Sequence, residues 1–119
     1  MTADTLADGR VVVTNTPPAE ATHHLVEELR IGDADGAHAT LFGEIRGLAI
    51  DDAGRIAVLE TQARELRVFG PDGVHLVTHG RNGSGPGEFA DAVGIMRASN
   101  GMLYVPDQRN TRMNVLHMD

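Results

Sequence analysis

The chain has 119 residues and a formal net charge of −7, from 17 acidic and 10 basic side chains. This acidic balance disfavours nucleic acid as a partner, because affinity for a phosphate backbone comes largely from Lys and Arg. Aromatic residues make up 3% of the chain and Trp is absent, so few side chains could stack on bases or sugars. The absence of Cys excludes disulfides, zinc–thiolate sites and thiol nucleophiles.

The beginning of the chain does not resemble a targeting segment. Residues 1–10 carry acidic side chains and lack the basic region and apolar run of a secretory signal. No stretch approaches the roughly 20 apolar residues that span a bilayer. We therefore expect no membrane span, and the sequence leaves the compartment open.

Two strands are predicted in the first 40 residues. The first covers residues 10–14, and Pro17-Pro18 breaks the chain after it. The second covers residues 25–31. A short helix over residues 22–30 is the alternative, because Glu and Leu in this stretch favour one. Residues 25–31 precede a glycine as residues 75–79 do, which predicts the outer strand of a preceding repeat.

The rest of the chain contains two copies of one repeat. Residues 47–60 match residues 94–107, so that Gly101 lies 47 residues after Gly54. Upstream, Gly43-Glu44-Ile45 matches residues 87–89 at an offset of 44, which predicts a three-residue insertion near residues 90–92. Repeats of this length indicate a solenoid, a propeller or an array.

The pattern inside each copy selects an all-β fold. Short apolar or alternating runs are separated by Gly, Asn and Asp turn signals, which is typical of antiparallel hairpins. No segment keeps apolar residues at helical spacing, which excludes helical repeats. The predicted strands are residues 47–50, 55–59, 65–69 and 75–79 in the first copy, and 94–97, 102–105 and 112–116 in the second.

The apolar positions of these strands predict the core, because the faces of stacked sheets bury such residues against each other. Phe89 is predicted to anchor the connection between the copies. The predicted core residues are Leu48, Ile56, Val58, Leu66, Val68, Phe69, Phe89, Leu103, Val105, Met113 and Val115.

The connection between the copies carries a family resemblance. Residues 79–89 form a Gly-rich stretch that ends in Gly-Pro-Gly-Glu-Phe, and Leu103-Tyr104-Val105-Pro106-Asp107 follows it. Together with Asn110-Thr111-Arg112-Met113, this pattern resembles NHL repeats. It is most similar to bacterial six-bladed β-propeller proteins, which are often lipoproteins. The likeness covers residues 41–119.

The resemblance implies antiparallel four-stranded blades of an incomplete six-bladed, NHL-type β-propeller, with about two blades present. Residues 1–40 would supply an entering strand and the outer strand of a preceding blade. Residues 41–80 would form the first full blade, and residues 81–119 a second, truncated blade of the same domain. Relatives of this kind are often exported or lipid-anchored, although no signal is present in this chain.

One charged pair is a candidate site. We expect Asp107 to accept backbone N–H groups of its hairpin and to pair across the strands with Arg112. The first copy differs at the aligned positions, since it has Glu60, Ala63 and Glu65 where the second has Asp107, Asn110 and Arg112. Arg64 is displaced by one residue, and on a strand it would face the opposite side.

Other patterns indicate ligand sites only weakly. Residues 80–87 could cradle a phosphate, but a strand and not a helix is predicted after them, which favours a simple crossover. His23-His24, His38, His75, His79 and His117 fall on outer strands or loops, away from a propeller's central channel. Asp33-Ala34-Asp35-Gly36 begins like a calcium loop, with Glu44 at the twelfth place, but the glycine at the sixth place is missing. We therefore assign no catalytic, cofactor-binding or metal-binding residue and no cofactor.

The expected function is a non-enzymatic binding or scaffolding surface for an unknown protein or small molecule. The alternative is part of a metal-dependent propeller enzyme, of lyase or lactonase type, whose ligands lie mostly outside this chain. A third possibility is a fragment without independent function. In each case we expect the chain to need further blades or self-association, because a blade buries its faces only against neighbours.

Overall fold

The computed structural model describes residues 1–16 and 23–119, and these residues form an all-β structure of antiparallel strands. One 3-10 turn, His38–Thr40, is the only helical element in the described ranges, and no helix there is long and apolar enough to cross a bilayer. The strands are β1 (Thr2–Thr5), β2 (Val11–Thr14), β3 (Ile45–Ile50), β4 (Ile56–Glu60), β5 (Glu65–Phe69), β6 (His75–His79), β7 (Met96–Arg97), β8 (Leu103–Asp107) and β9 (Arg112–Leu116).

These strands form three separate sheets. β1 and β2 form an N-terminal hairpin, β3-β4-β5-β6 form the first sheet, and β7-β8-β9 form the second sheet. In each of the two larger sheets, every strand pairs with the strand that follows it in sequence. Gly54 and Gly101 adopt φ values of 80° and 82° at equivalent turns, a conformation that costs glycine little. Such meandering antiparallel sheets are compatible with propeller blades.

The strand predictions inside the repeat are confirmed. Residues 65–69, 75–79 and 112–116 are strands with the predicted bounds. β3 begins two residues earlier than predicted, β4 and β8 extend to Glu60 and Asp107, and β7 is shorter than predicted. β1 was not predicted, although Asp8-Gly9 before β2 is a typical hairpin-turn dipeptide and Gly9 has a φ of 85°.

The strand predicted over residues 25–31 is not present. Residues 23–31 have neither strand nor helix structure, so the alternative helix is also absent from the described part of residues 22–30. A β-strand needs a hydrogen-bonded neighbour, and none of the described strands pairs with residues 25–31. Pro17-Pro18 and residue 22 lie outside the described residues.

The core lies between the first and second sheets. The strand side chains in this core come from alternating positions, which place them on one face of each sheet, and the connecting segments supply the remaining ones. The buried cluster consists of Ala49, Ala57, Leu59, Leu66, Val68, Phe89, Ala92, Leu103, Val105 and Met118. The sheets therefore stack face to face.

The predicted core is confirmed in part. Seven of its residues are buried: Val58, Leu66, Val68, Phe69, Phe89, Leu103 and Val105. The prediction is wrong for Leu48, Met113 and Val115, which are exposed, and Ile56 is half-buried. The exposed three are apolar positions on the faces that point away from the partner sheet, where the described residues supply too little cover.

The two sheets expose different amounts of the same face. At an offset of 47 residues, Met113 and Val115 of β9 correspond to Leu66 and Val68 of β5. Leu66 and Val68 are 0% exposed, whereas Met113 and Val115 are each 47% exposed. The second sheet buries this face of the first sheet, and no described residues cover it in the second sheet to the same extent.

The packing predicts different costs for one substitution at two sites. Leu66→Ala should lower the free energy of unfolding by about 2–5 kcal/mol, because it leaves a cavity between the sheets. Leu76→Ala, on the exposed side of β6, should cost less than about 1 kcal/mol. Urea unfolding followed by circular dichroism measures both, and equal losses would contradict the assignment of the core.

Candidate functional site

A buried carboxylate ends the second strand of the first sheet. Glu60 is 1% exposed. Its Oε1 accepts the backbone N–H groups of Gly43 at 3.0 Å and Glu44 at 2.8 Å. Its Oε2 accepts the N–H of Ala63 at 2.6 Å. The carboxylate thus ties the segment that enters β3 to the turn between β4 and β5.

The second sheet repeats this arrangement with Asp107, which is also 1% exposed. Asp107 accepts the backbone N–H groups of Ala90 at 2.8 Å, Asp91 at 3.0 Å and Asn110 at 3.1 Å. The side-chain amide of Asn110 adds a fourth bond at 2.8 Å. Each backbone donor lies 47 residues after its counterpart around Glu60. We call Glu60 and Asp107 the carboxylate ties.

Both carboxylate ties are held in the ionised form. Burial raises the pKa of Glu60, but the N–H groups of Glu44, Ala63 and Gly43 outweigh burial and lower that pKa below its ordinary value. Burial likewise raises the pKa of Asp107, and the bonds from Ala90, Asp91 and Asn110 lower it further than burial raises it. All of these donors belong to the chain itself, so the two carboxylates have a structural role.

The expected ion pair between Asp107 and Arg112 does not form. Asp107 does accept N–H groups near its hairpin, as predicted, but Arg112 donates instead to the carbonyl oxygens of Ser84 at 3.0 Å and of Gly85 and Glu88 at 2.6 Å each. The three carbonyls lie in the crossover that precedes β7. Arg112 therefore fixes the Gly-rich connection rather than the hairpin.

The first sheet holds its own crossover with a different arginine. Arg67 of β5 is 1% exposed and donates to the carbonyl of Leu41, which lies 47 residues before Glu88. Its guanidinium lies 5.4 Å from the ring centroid of Phe42, the counterpart of Phe89, and 2.8 Å from a carboxylate oxygen of Glu65. The same carbonyl is thus held in both sheets, although the arginines stand at different strand positions.

These contacts correct the sequence alignment. The match of Gly43-Glu44-Ile45 to residues 87–89 predicted an insertion of three residues. The carboxylate ties and the arginine–carbonyl bonds instead keep an offset of 47 from Leu41 onward. The predicted insertion near residues 90–92 is therefore wrong. Residues 87–88 repeat the Gly-Glu sequence of residues 43–44, but they do not occupy the equivalent place in the structure.

The prediction for Arg64 is also wrong. Arg64 lies in the turn before β5 with a φ of 60°, and its counterpart Thr111 has a φ of 50°. Both residues adopt a left-handed conformation that L-residues rarely take. Arg64 donates to the side-chain oxygen of Asn82, so it links the turn to the crossover and has no strand face.

The histidines do not converge. His38 contacts Glu65 at 3.0 Å, and His75 contacts Thr78 at 2.8 Å on β6. His23 and His24 lie in irregular structure, and the ring Nε2 of His79 is buried without a hydrogen-bond partner. Within residues 1–16 and 23–119, no group of three or more His, Cys, Asp or Glu side chains is arranged to hold a metal ion.

The two loop motifs have local roles. Asp33 accepts the N–H of Asp35 at 3.0 Å, and Glu44 pairs with Arg46 at 2.9 Å, so the calcium-like spacing forms a turn and a separate ion pair. In the Gly-rich loop, Glu88 accepts the N–H of Gly85 at 2.7 Å. A bend and an isolated bridge follow the loop, not a helix, so the phosphate-cradle geometry is not formed.

The best candidate for ligand contact lies where the two sheets meet at their turn ends. This loop-end pocket has a volume of about 160 Å³ and is lined by Glu44, Arg46, Thr61, Arg64, Ala90, Asp91, Ala92 and Arg109. Arg46 lies 3.5 Å from Asp91 of the second sheet. A larger pocket of about 350 Å³ opens beside His38, but its buried charged groups, Glu60 and Arg67, are already bonded to the chain.

No protein-family model matches the chain, and no curated protein matches it.

The carboxylate ties predict a pH-dependent stability. The folded pKa of Asp107 is below its ordinary value of 3.8, so its contribution is fully present above that value and is lost as the pH falls through the folded pKa. Asp107→Asn should lower the free energy of unfolding by about 2–4 kcal/mol at pH 7, because an amide leaves backbone N–H groups unpaired.

The difference between the wild type and Asp107→Asn should shrink as the pH is lowered below about 4, where the wild-type carboxylate is itself protonated. Thermal unfolding between pH 2.5 and 7 measures it. Asp35→Asn, at an exposed turn position, is the control and should change stability by less than about 0.5 kcal/mol. A difference that stays constant over the whole pH range would contradict the role of the ionised carboxylate.

Proposed function

We propose that this chain is a segment of a six-bladed, NHL-type β-propeller that acts as a non-enzymatic binding or scaffolding unit. The loop-end pocket is its contact surface. The observation that carries the proposal is that the first and second sheets both contribute charged side chains to one pocket at their turn ends. Ligand sites commonly form where two structural units meet.

The repeated contacts support the propeller part of the proposal. The carboxylate ties and the arginine–carbonyl bonds join each crossover to its own sheet in the same way. A stack of such units positions its turns at one end, and those turns are free to vary without disturbing the packed faces. The turns that hold Arg64 and Arg109 lie at this end.

The charges of the pocket favour a ligand that carries a carboxylate. Three arginines, Arg46, Arg64 and Arg109, line the pocket together with two acidic residues, Glu44 and Asp91. Arg46 is paired with Glu44 and Asp91, and Arg64 with Asn82. Arg109 makes no hydrogen bond or ion pair within the described residues, so its guanidinium is available to a carboxylate in a bidentate geometry.

The enzymatic alternative receives no specific support from the described residues. A lyase or lactonase of propeller type needs metal ligands that converge on the central axis. Titration with Zn²⁺ or Ca²⁺, followed by thermal unfolding, separates this alternative from the binding function. A stabilisation that rises with metal concentration at micromolar levels would favour the enzyme.

The binding function is tested with carboxylate probes. A panel of short acidic peptides and succinate is titrated into the isotopically labelled chain, and the Nε–Hε signals of the arginines are followed by NMR. Arg109→Gln should weaken binding by tenfold or more, as expected from losing one charge-assisted hydrogen bond of about 1.5–3 kcal/mol.

Arg10→Gln is the matched control, since Arg10 lies in the N-terminal hairpin and pairs with Asp8 outside the pocket. It should leave binding unchanged. If no probe shifts the Arg109 signal, or if both variants weaken binding equally, the loop-end pocket is not the contact surface.

A further inference from the structure

Among the described residues, the second sheet has no counterpart of β6, the strand that completes the first sheet. At an offset of 47, β9 corresponds to β5, and in the first sheet β6 pairs with the outer edge of β5. In the second sheet, no described strand pairs with the outer edge of β9. An unpaired edge presents a row of free N–H and C=O groups and is a template for another strand.

Residues 25–31 match β6 in sequence position and in what they contact. At an offset of 48, Leu29 corresponds to Val77 and Gly32 to Gly80. Val77 packs against the core between the two sheets. Leu29 lies on the opposite face of the first sheet, where it lines a pocket of about 270 Å³ with Leu48 and Ile56. Residues 25–31 thus contact the outer face of the first sheet in the way that β6 contacts the core between the first and second sheets.

The connection that follows is also built in the same way. Gly32 and Gly80 have φ values of 129° and 89°, and a methyl group on either would lie against a phenylalanine ring, at 3.4 Å from Phe42 and 2.5 Å from Phe89. The carbonyl before each phenylalanine accepts a bond from an arginine. Residues 25–43 are therefore an outer-strand position and a crossover, without the three strands that would complete their sheet among the described residues.

We propose that residues 25–31 of one copy of this chain pair with β9 of a second copy and complete its second sheet. The register follows from the pairing of β5 with β6, in which Val68 faces Val77 and Arg67 faces Thr78. Transferred by the two offsets, the pairs are Met113 with Ile31, Asn114 with Arg30, Val115 with Leu29, and Leu116 with Glu27.

This pairing continues the packing that is already present inside one chain. It brings the exposed face of β9, with Met113 and Val115, against the face of the next copy that exposes Leu48 and Ile50. The second face corresponds to the one that the second sheet presents to the first, since Leu48 lies 47 residues before Ile95 of the core. The contact is head-to-tail, so copies form a closed ring or an open filament. It does not depend on a ligand in the loop-end pocket.

The register is tested by disulfide formation, for which the chain is suited because it contains no Cys. The double variant Arg30→Cys with Asn114→Cys should give a ladder of disulfide-linked oligomers under mild oxidation. A disulfide needs Cα atoms about 4.4–6.8 Å apart, which directly opposed residues of paired strands satisfy. The control Glu28→Cys with Asn114→Cys, which is two residues out of register, should cross-link at least tenfold more slowly.

Sedimentation tests the interface between copies without engineered disulfides. Sedimentation of the full chain at 1–50 µM should show association that Val115→Asp weakens at least tenfold, while circular dichroism of the variant keeps the strand signal of the wild type. A wild-type chain that sediments as a monomer with a cooperative unfolding transition would overturn the proposal. Equal cross-linking in the two registers, or a disulfide formed within one copy, would overturn it as well.

Discussion

The first sheet buries the face formed by β4 and β5 against the second sheet, and the other features of the structure are arranged around this contact. Leu66 and Val68 contribute to it from β5, and Leu103 and Val105 from β8. Burying each such side chain stabilises the folded state by about 1.5–3 kcal/mol relative to exposure. Because side chains alternate along a strand, one residue of slippage would exchange the buried face for the opposite one. Register is therefore as important as composition.

Hydrogen bonds at the turn ends fix that register. The carboxylate ties reach from the second strand of each sheet to the segment that enters it and to the following turn. Burying each carboxylate costs free energy because a charge is removed from water, and three or four N–H donors compensate for this cost. The crossovers are then held from the other side by Arg67 and Arg112. Apolar faces provide most of the favourable free energy, and the buried polar groups select one alignment of the sheets.

Local patterns predicted most of the strands, and long-range pairing explains what they missed. The two-residue period and the glycine turns were sufficient for β5, β6 and β9. Residues 25–31 have a strand-like position in the repeat, but strand structure also requires a neighbour, which no local pattern reveals. The same reason accounts for Met113 and Val115, since an apolar position becomes core only where another sheet covers it.

The candidate site was predictable only in its parts. The alignment placed Glu60 on Asp107, and in the structure each of the two carboxylates accepts three backbone N–H groups from equivalent positions of its own copy. The partners of Arg112 were not predictable, because carbonyl acceptors carry no signature in the sequence. The loop-end pocket was missed altogether, since its arginines come from both sheets and from separate turns.

The arginine–carbonyl bond has a consequence for how such repeats change over time. The carbonyl that accepts the bond lies at equivalent positions of the two copies. The guanidinium that donates to it belongs to Arg67 in the first copy and to Arg112 in the second. Arg67 and the counterpart of Arg112, Glu65, are two residues apart and so share a face of the strand. A long side chain on that face can take over from its neighbour without moving the backbone. Two such repeats can then come to differ at each pair of equivalent sequence positions while their three-dimensional arrangement stays the same. Their common origin then becomes hard to detect from sequence alone.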